Sequence, residues 1–404
     1  MIIHKDIYKQ RRTQLLNRIP EGSAVFLFAG EGRAMSQDTD YRFLPDRNFF
    51  YMTGLSYIGG KLVLVKHEDG KEEQMLFALK KDELAERWKG KRDTFDKIAS
   101  VSGINVEDIY DTEDFDTIIY PLLSKYRLFT DSTSITEEYK EFTMAHDVCE
   151  DIGPTLISMR MIKSQEEAEA IAQAAVITEQ AVDAVRPLVR EGVTELEIYT
   201  ALEYEMARRG SLIPAFETIV AIGANSFYLH HSDPEDETGV TARRGDIIQI
   251  DVGARCCGYC ADISRVFFVG EPEDEQQRDR CEKLFTLISD LRKEAFSFIS
   301  PGQSFASLNE RMHKITGDAL CSWGLLEEGY TDEDVKKYYW HNTSHHLGLD
   351  VHDISDRDKL FEPGNCLAVE PGVYIKEWGI GFRIEDDVMV TATGCRLLSS
   401  GKNQ

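Results

Sequence analysis

The stretch 251-DVGARCCGYCADISRV-266 sets two aspartates eleven residues apart, on either side of a turn rich in glycine and cysteine. Just before it, 246-DIIQIDVGA-254 is an apolar run that closes on Asp251. Just after it, 263-ISRVFFVG-270 is β-branched and aromatic. Both runs have strand composition, so the segment between them reads as a hairpin connection. An acid joined directly to a buried strand needs a partner or a task, because burying its charge is costly. Taken one at a time, Asp251 and Asp262 could equally be turn formers at hairpin ends.

Outward from the hairpin, the order of elements repeats. Ser164 with Glu167 and Thr194 with Glu197 are capping boxes that open two helices, and Ile171, Ala175, Thr178, Val182 and Val185 mark the buried face of the first. Strand-like runs follow at 217–223, 246–254 and 263–270. Two more helical stretches, 274–298 and 304–323, are separated by Pro301-Gly302 and lead into runs at 366–375 and 383–391. Two helices then strands, twice over, predicts a pseudo-duplicated α+β domain over residues 158–404. Residues 1–157 read as a smaller α/β domain: Ala24 to Phe28 is a strand, 61-KLVLVKHEDGKEEQMLFAL-79 is a hairpin turning at Asp69-Gly70, and 79-LKKDELAERWKG-90 is helical. The aromatic segment 34–55 has no clear period and reads as an ordered loop and strand.

Composition narrows the function. Of 404 residues, 46 are basic and 71 acidic, a formal charge of −25, whereas nucleic acids and anionic membranes both require a basic footprint. No apolar run reaches the length of a membrane span, and the charged start MIIHKDIYKQRRTQ is not built as a signal peptide, so a cytoplasmic location is expected. The eight cysteines do not form a secreted disulfide framework. Cys257 and Cys260 have Cys-x-x-Cys spacing, but no second soft pair completes a zinc site and no helix follows to support redox chemistry.

Five residues in the second half have ligand chemistry for a hard metal: Asp251, Asp262, His345, Glu370 and Glu385. Four carboxylates and an imidazole carry too much negative charge to bury unless divalent cations balance it. Such ligands suit Mn²⁺ best, with Co²⁺ or Zn²⁺ as alternatives, and five ligands with two shared suffice for two ions. The bland alternative makes Glu370, before Pro371-Gly372, a turn residue and Glu385-Asp386-Asp387 a solvated acidic corner. Four histidines crowd 341-HNTSHHLGLDVHD-353, and His230 and His231 form a second pair.

In the order found here, 251-DVGARCCGYCADISRVF-267, 341-HNTSHHLGLDVHDISD-356, 367-LAVEPGVYI-375 and 381-GFRIEDDVMVT-391 resemble the metallopeptidases of the creatinase or "pita-bread" fold, of the aminopeptidase P (Xaa-Pro aminopeptidase) type. The runs 38-DTDYRFLPDRNFFYMTGL-55 and 86-ERWKGKR-92 look like that family's N-terminal domain, so the resemblance spans nearly the whole chain. It implies a metallo-aminopeptidase that removes the residue before a penultimate proline by attack of a metal-bridging hydroxide. Prolidase, cutting Xaa-Pro dipeptides, is the alternative, and a non-catalytic binding domain the bland third reading. By the same resemblance Asp251 binds one metal, Asp262 and Glu385 bridge both, and His345 and Glu370 complete the other. His230, His341 and His352 line the cleft, Arg383 supports the ligand layer, and Glu370 is the candidate proton shuttle. A homodimer or larger homo-oligomer is implied as well. Asn342, His346 and His231 depart from the family's usual residues at their positions. The resemblance puts Gly258 and Tyr259 at the hairpin tip and the cysteines beside the site, where oxidation of Cys257 with Cys260 would distort the hairpin.

Overall fold

The computed structural model describes residues 3–146, 149–231 and 240–400, which fall into two compact units, Ile2–Met159 and Arg160–Gln404. The first unit is built on a six-stranded mixed sheet in the order Ile109–Asp111, Glu72–Ala78, Lys61–Lys66, Ser23–Phe28, Arg127–Thr130, Glu150–Asp151. The Asp69-Gly70 hairpin forms as expected, with Lys66 opposite Glu72 and Gly70 at φ 79°. Phe26, Phe28, Phe77, Phe115 and Phe142 build the core beneath the sheet.

Segment 34–55 departs from its reading as loop and strand, because Arg47–Thr53 is a helix. Two backbone effects fix it: the Asp46 carboxylate accepts from the N–H groups of Asn48 and Phe49, and Gly54 closes the helix in the left-handed region at φ 70°. Seven residues are too few to display a helical period.

In the second unit both capping boxes are in place, opening helices Gln165–Val185 and Glu195–Ala207. Strands Ile219–Ile222, Ile247–Val252 and Ile263–Phe268 follow as an antiparallel sheet with Ile247–Val252 in the middle. The pattern returns with helices Glu275–Phe298 and Phe305–Ser322, then a four-stranded sheet ordered Ser344–His346, Cys366–Val369, Asp386–Val390, Cys395–Leu397. One apolar cluster sits under each repeat: Val182, Leu202 and Ile250 belong to the first, Leu284, Leu291, Leu308 and Val388 to the second. This is the pseudo-duplicated α+β architecture. Among the described residues no helix is long and apolar enough to cross a membrane.

The run 366–375 is not one strand. Its ladder breaks at Glu370-Pro371 because proline has no N–H to donate, and Gly372–Ile375 pairs instead with Ile380–Arg383 as a separate two-stranded sheet. The run 383–391 likewise breaks at Ile384-Glu385 before Asp386–Val390. Both breaks fall on the candidate ligands, which leaves their carboxylates at strand ends instead of within a pleat.

A close approach holds the central hairpin in shape. A Cβ on Gly253 would lie 2.0 Å from the Ala261 carbonyl oxygen and 2.9 Å from the Phe216 ring, so no side chain fits. Gly253→Ala is expected to destabilise the second unit by about 1–3 kcal/mol, the usual cost of overpacking, in a urea unfolding titration. An unchanged midpoint would mean the hairpin can shift freely.

Candidate active site

Asp251 lies opposite Ile219 on one side and Ser264 on the other, and Asp262 immediately precedes the return strand. Both aspartates are buried, at 7% and 5% exposure, as are His345 and Glu385. His345 Nε2 is 3.4 Å from Asp262 Oδ2, 3.8 Å from Glu370 Oε1 and 3.9 Å from Glu385 Oε1. Asp262, His345 and Glu385 each present a ligand atom within 4.8 Å of the others. Arg383 donates from Nη2 to Asp251 Oδ2 and to the Leu229 carbonyl. All five candidate ligands therefore converge with Arg383 on one cavity of about 460 Å³, which His230, His341 and His352 also line.

Hydrogen bonding aims these groups. His345 Nδ1 is 3.1 Å from the His346 carbonyl, an obligate acceptor, so the proton sits on Nδ1 and the Nε2 lone pair faces the carboxylates. Ser264 Oγ donates to Glu385 Oε2, and the Asp262 N–H donates to Asp387 Oδ2. The His341 ring hydrogen-bonds at both nitrogens: Nδ1 is 2.9 Å from the Asn342 carbonyl and Nε2 is 3.1 Å from Tyr374 Oη. The rings of His345 and His352 stack at 3.9 Å.

The electrostatics call for cations. Burial raises the Asp262 and Glu385 carboxyls well above the carboxylate range, and the charges of Asp251 on Asp262 and of Asp262 on Glu385 push the same way. Burial likewise pushes Glu370 up to about 7. One oxygen each of Asp251, Asp262 and Glu385 is buried with no hydrogen-bond partner among the described residues. Four acids against one guanidinium, with lone pairs turned into a shared space and an imidazole lone pair beside them, fit divalent metal. Burial lowers His341 and His352 to about 4, so both rings are neutral at pH 7.

Several sequence readings need adjustment. The acidic corner is not solvated, since Glu385, Asp386 and Asp387 are all fully buried and Asp386 is paired by Arg265 and Arg292. His346 does not join the cleft; it is buried with its ring edge against Phe305. The hairpin tip is Cys257-Gly258, with φ of 52° and 86°, while Tyr259 lies in the short strand Tyr259–Cys260, opposite Cys256. Cys256 and Cys257 bring their Sγ atoms to 3.9 Å, and Cys260 is buried with its Sγ 3.5 Å from the Leu349 carbonyl. Tyr374, Ser264 and Asp387 support the site without having stood out in the sequence. Ser264 lies in direct register with Asp251, a pairing that only the folded strands define.

Residues 169–392 match the model of metallopeptidase family M24, and residues 8–129 match the aminopeptidase P N-terminal domain. The chain belongs to metallopeptidase family M24, which implies divalent metal at the site just described. Over 97% of its length it is 30% identical to the Xaa-Pro aminopeptidase of Escherichia coli K12, covering 94% of that protein. It is also 29% identical to an Xaa-Pro dipeptidase of Pyrococcus furiosus, over 88% of this chain and 92% of the relative. Among solved structures, aminopeptidase P from E. coli superposes with a TM-score of 0.89 at 26% identity, over all of this chain and 97% of that one.

Proposed function

We propose that the chain releases the N-terminal residue from peptides with proline in second position, using two divalent cations, Mn²⁺ foremost. The observation that carries this reading is the convergence of Asp251, Asp262, His345, Glu370 and Glu385 on one cavity, in a chain similar over almost its full length to Xaa-Pro aminopeptidases. These five residues would hold the metal. Bound there, the cations supply Lewis-acid polarisation of the scissile carbonyl and lower the pKa of water towards about 7.

The side chains divide the remaining work. Arg383 occupies Asp251 Oδ2 and leaves Oδ1 for the metal side. Asp262 and Glu385 would be the shared ligands: each keeps one unpartnered oxygen, Oδ1 and Oε1 respectively, and both acids lie beside His345. Glu370 sits between His341 and His345, placed to carry a proton from water to the proline nitrogen. That delivery is required because the Xaa-Pro bond is a tertiary amide, whose nitrogen carries no hydrogen. His341 is held by Asn342 and Tyr374, so donation to the developing oxyanion falls to His352, which lines the cavity, with His230 flanking the substrate.

Chelator-treated protein is expected to lose turnover of an Xaa-Pro-Pro-Yaa peptide and to regain it when one metal is added at a time, Mn²⁺ giving the fullest recovery. Undiminished activity after metal removal would sink the metal reading. The likeness to an Xaa-Pro dipeptidase favours a second reading, and hydrolysis confined to the Xaa-Pro dipeptide would select it. The same proposal includes a homo-oligomer acting in the cytoplasm, in keeping with cysteines too scattered for a secreted disulfide framework.

A further inference from the structure

A buried acid-imidazole contact outside the ligand set bears on how the cleft is presented. Glu195, the first residue of its helix, is fully buried. Its Oε1 accepts from the Ile222 N–H at 2.8 Å and from Asn225 Nδ2 at 2.9 Å, and its Oε2 lies 3.0 Å from His231 Nε2. His231 is itself only 9% exposed. One carboxylate therefore ties both ends of the segment 222–231, which leaves the strand Ile219–Ile222 and passes along the cavity. Asn225 Nδ2 also lies 3.2 Å from His231 Nε2, so acid, amide and ring meet in one buried contact.

Two groups of the site lie inside this clasp. The Leu229 carbonyl accepts from Arg383 Nη2 at 3.1 Å, and Arg383 also grips Asp251. His230 lines the cavity next in sequence. We propose that the Glu195–His231 contact is a positioning device for Leu229 and His230, setting His230 against the substrate and fixing the second partner of Arg383. His231 acts through its neighbours and does not touch the reacting atoms. This inference rests on the Xaa-Pro reading.

The test compares His231→Leu, which keeps the ring's bulk and loses Nε2, with His231→Gln, whose amide still reaches Glu195. On an Xaa-Pro-Pro-Yaa peptide, His231→Leu is expected to lower kcat about 10- to 100-fold, the scale of a small misplacement at a reacting centre, with KM little changed. His231→Gln should recover most of that loss, and Mn²⁺ affinity by calorimetry should match wild type in both. In a His230→Ala background the His231→Leu penalty should shrink severalfold, because much of it is exerted through His230. A wild-type kcat in His231→Leu, an equal penalty in both backgrounds, or no recovery in His231→Gln would overturn the proposal. Should His231→Leu fail to fold, Asn225→Ala loosens the other end of the clasp and should lower kcat in the same way; a wild-type kcat there would also overturn it. Wild-type protein that cleaves no Xaa-Pro peptide would remove the underlying reading, an outcome distinct from all of these.

Discussion

Asp262→Ala or Glu385→Ala is expected to lower kcat/KM on an Xaa-Pro peptide by about 10³-fold or more, because each deletes a carboxylate that two cations would share. These two acids and His345 form the tightest ligand group, and Asp262 and Glu385 each keep an oxygen that nothing else satisfies. A folded but inactive protein is anticipated, since neither acid packs the apolar clusters beneath the sheets. Differential scanning fluorimetry adds a readout independent of turnover. Metal-free Asp262→Ala should melt higher than metal-free wild type, because one of several mutually repelling buried carboxyls is gone, and Mn²⁺ should no longer raise its melting temperature as linkage requires of a bound ion. Full activity in either variant contradicts the ligand assignment.

The second large effect lies behind the cleft. Asp353 follows His352 and is fully buried, with Oδ1 against Arg160 and Oδ2 2.9 Å from Lys163 Nζ. A Cβ on Gly348 would meet Asp353 Oδ2 at 2.3 Å, so the backbone is moulded around this ion cluster. Asp353→Asn is expected to destabilise the second unit by about 3–5 kcal/mol, because buried Lys163 loses its counter-charge and buried Arg160 loses the nearer of its two acids, Asp350 being the farther. Burial alone would raise the Asp353 carboxyl, but Arg160 and Lys163 outweigh it and hold the pKa at about 2, below the ordinary 3.8. A depressed carboxyl contributes stability that is complete above the unfolded value and is lost as pH falls through the folded one. That contribution is about 2 kcal/mol, and it should fade between roughly pH 4 and pH 2 in wild type. Urea midpoints measured across that range should fall more steeply in wild type than in Asp353→Asn. Parallel curves would remove Asp353 from the account.

Local signals made much of this legible in advance. The capping boxes at Ser164 and Thr194 located two helices, and acids at the ends of apolar runs marked Asp251 and Glu370. What stayed hidden depended on partners distant in sequence. Asp386 resembles a surface acid until Arg265 and Arg292 are brought to it, from a strand and a helix about 100 residues away. The strand breaks at Glu370 and Glu385 could not be read from continuous apolar runs, because periodicity does not report which sheet a residue joins. Spacing suggested Cys257 with Cys260, and the positive φ at Cys257, where the hairpin turns, also brings that thiol to Cys256.

The duplication of the second unit divides the candidate ligands. Asp251 and Asp262 come from the first repeat, while His345, Glu370 and Glu385 come from the second. Where the repeats meet, the Glu385 N–H donates to the Ser264 carbonyl at 3.1 Å and Ser264 Oγ returns a bond to Glu385. Neither repeat alone can complete the site, so ion binding and the docking of the repeats are one equilibrium seen from two sides. The acids that attract the metal also push the repeats apart without it. A cation bound there would rivet the domain as well as serve its chemistry, and chelation would loosen the joint at the place where catalysis needs it tight.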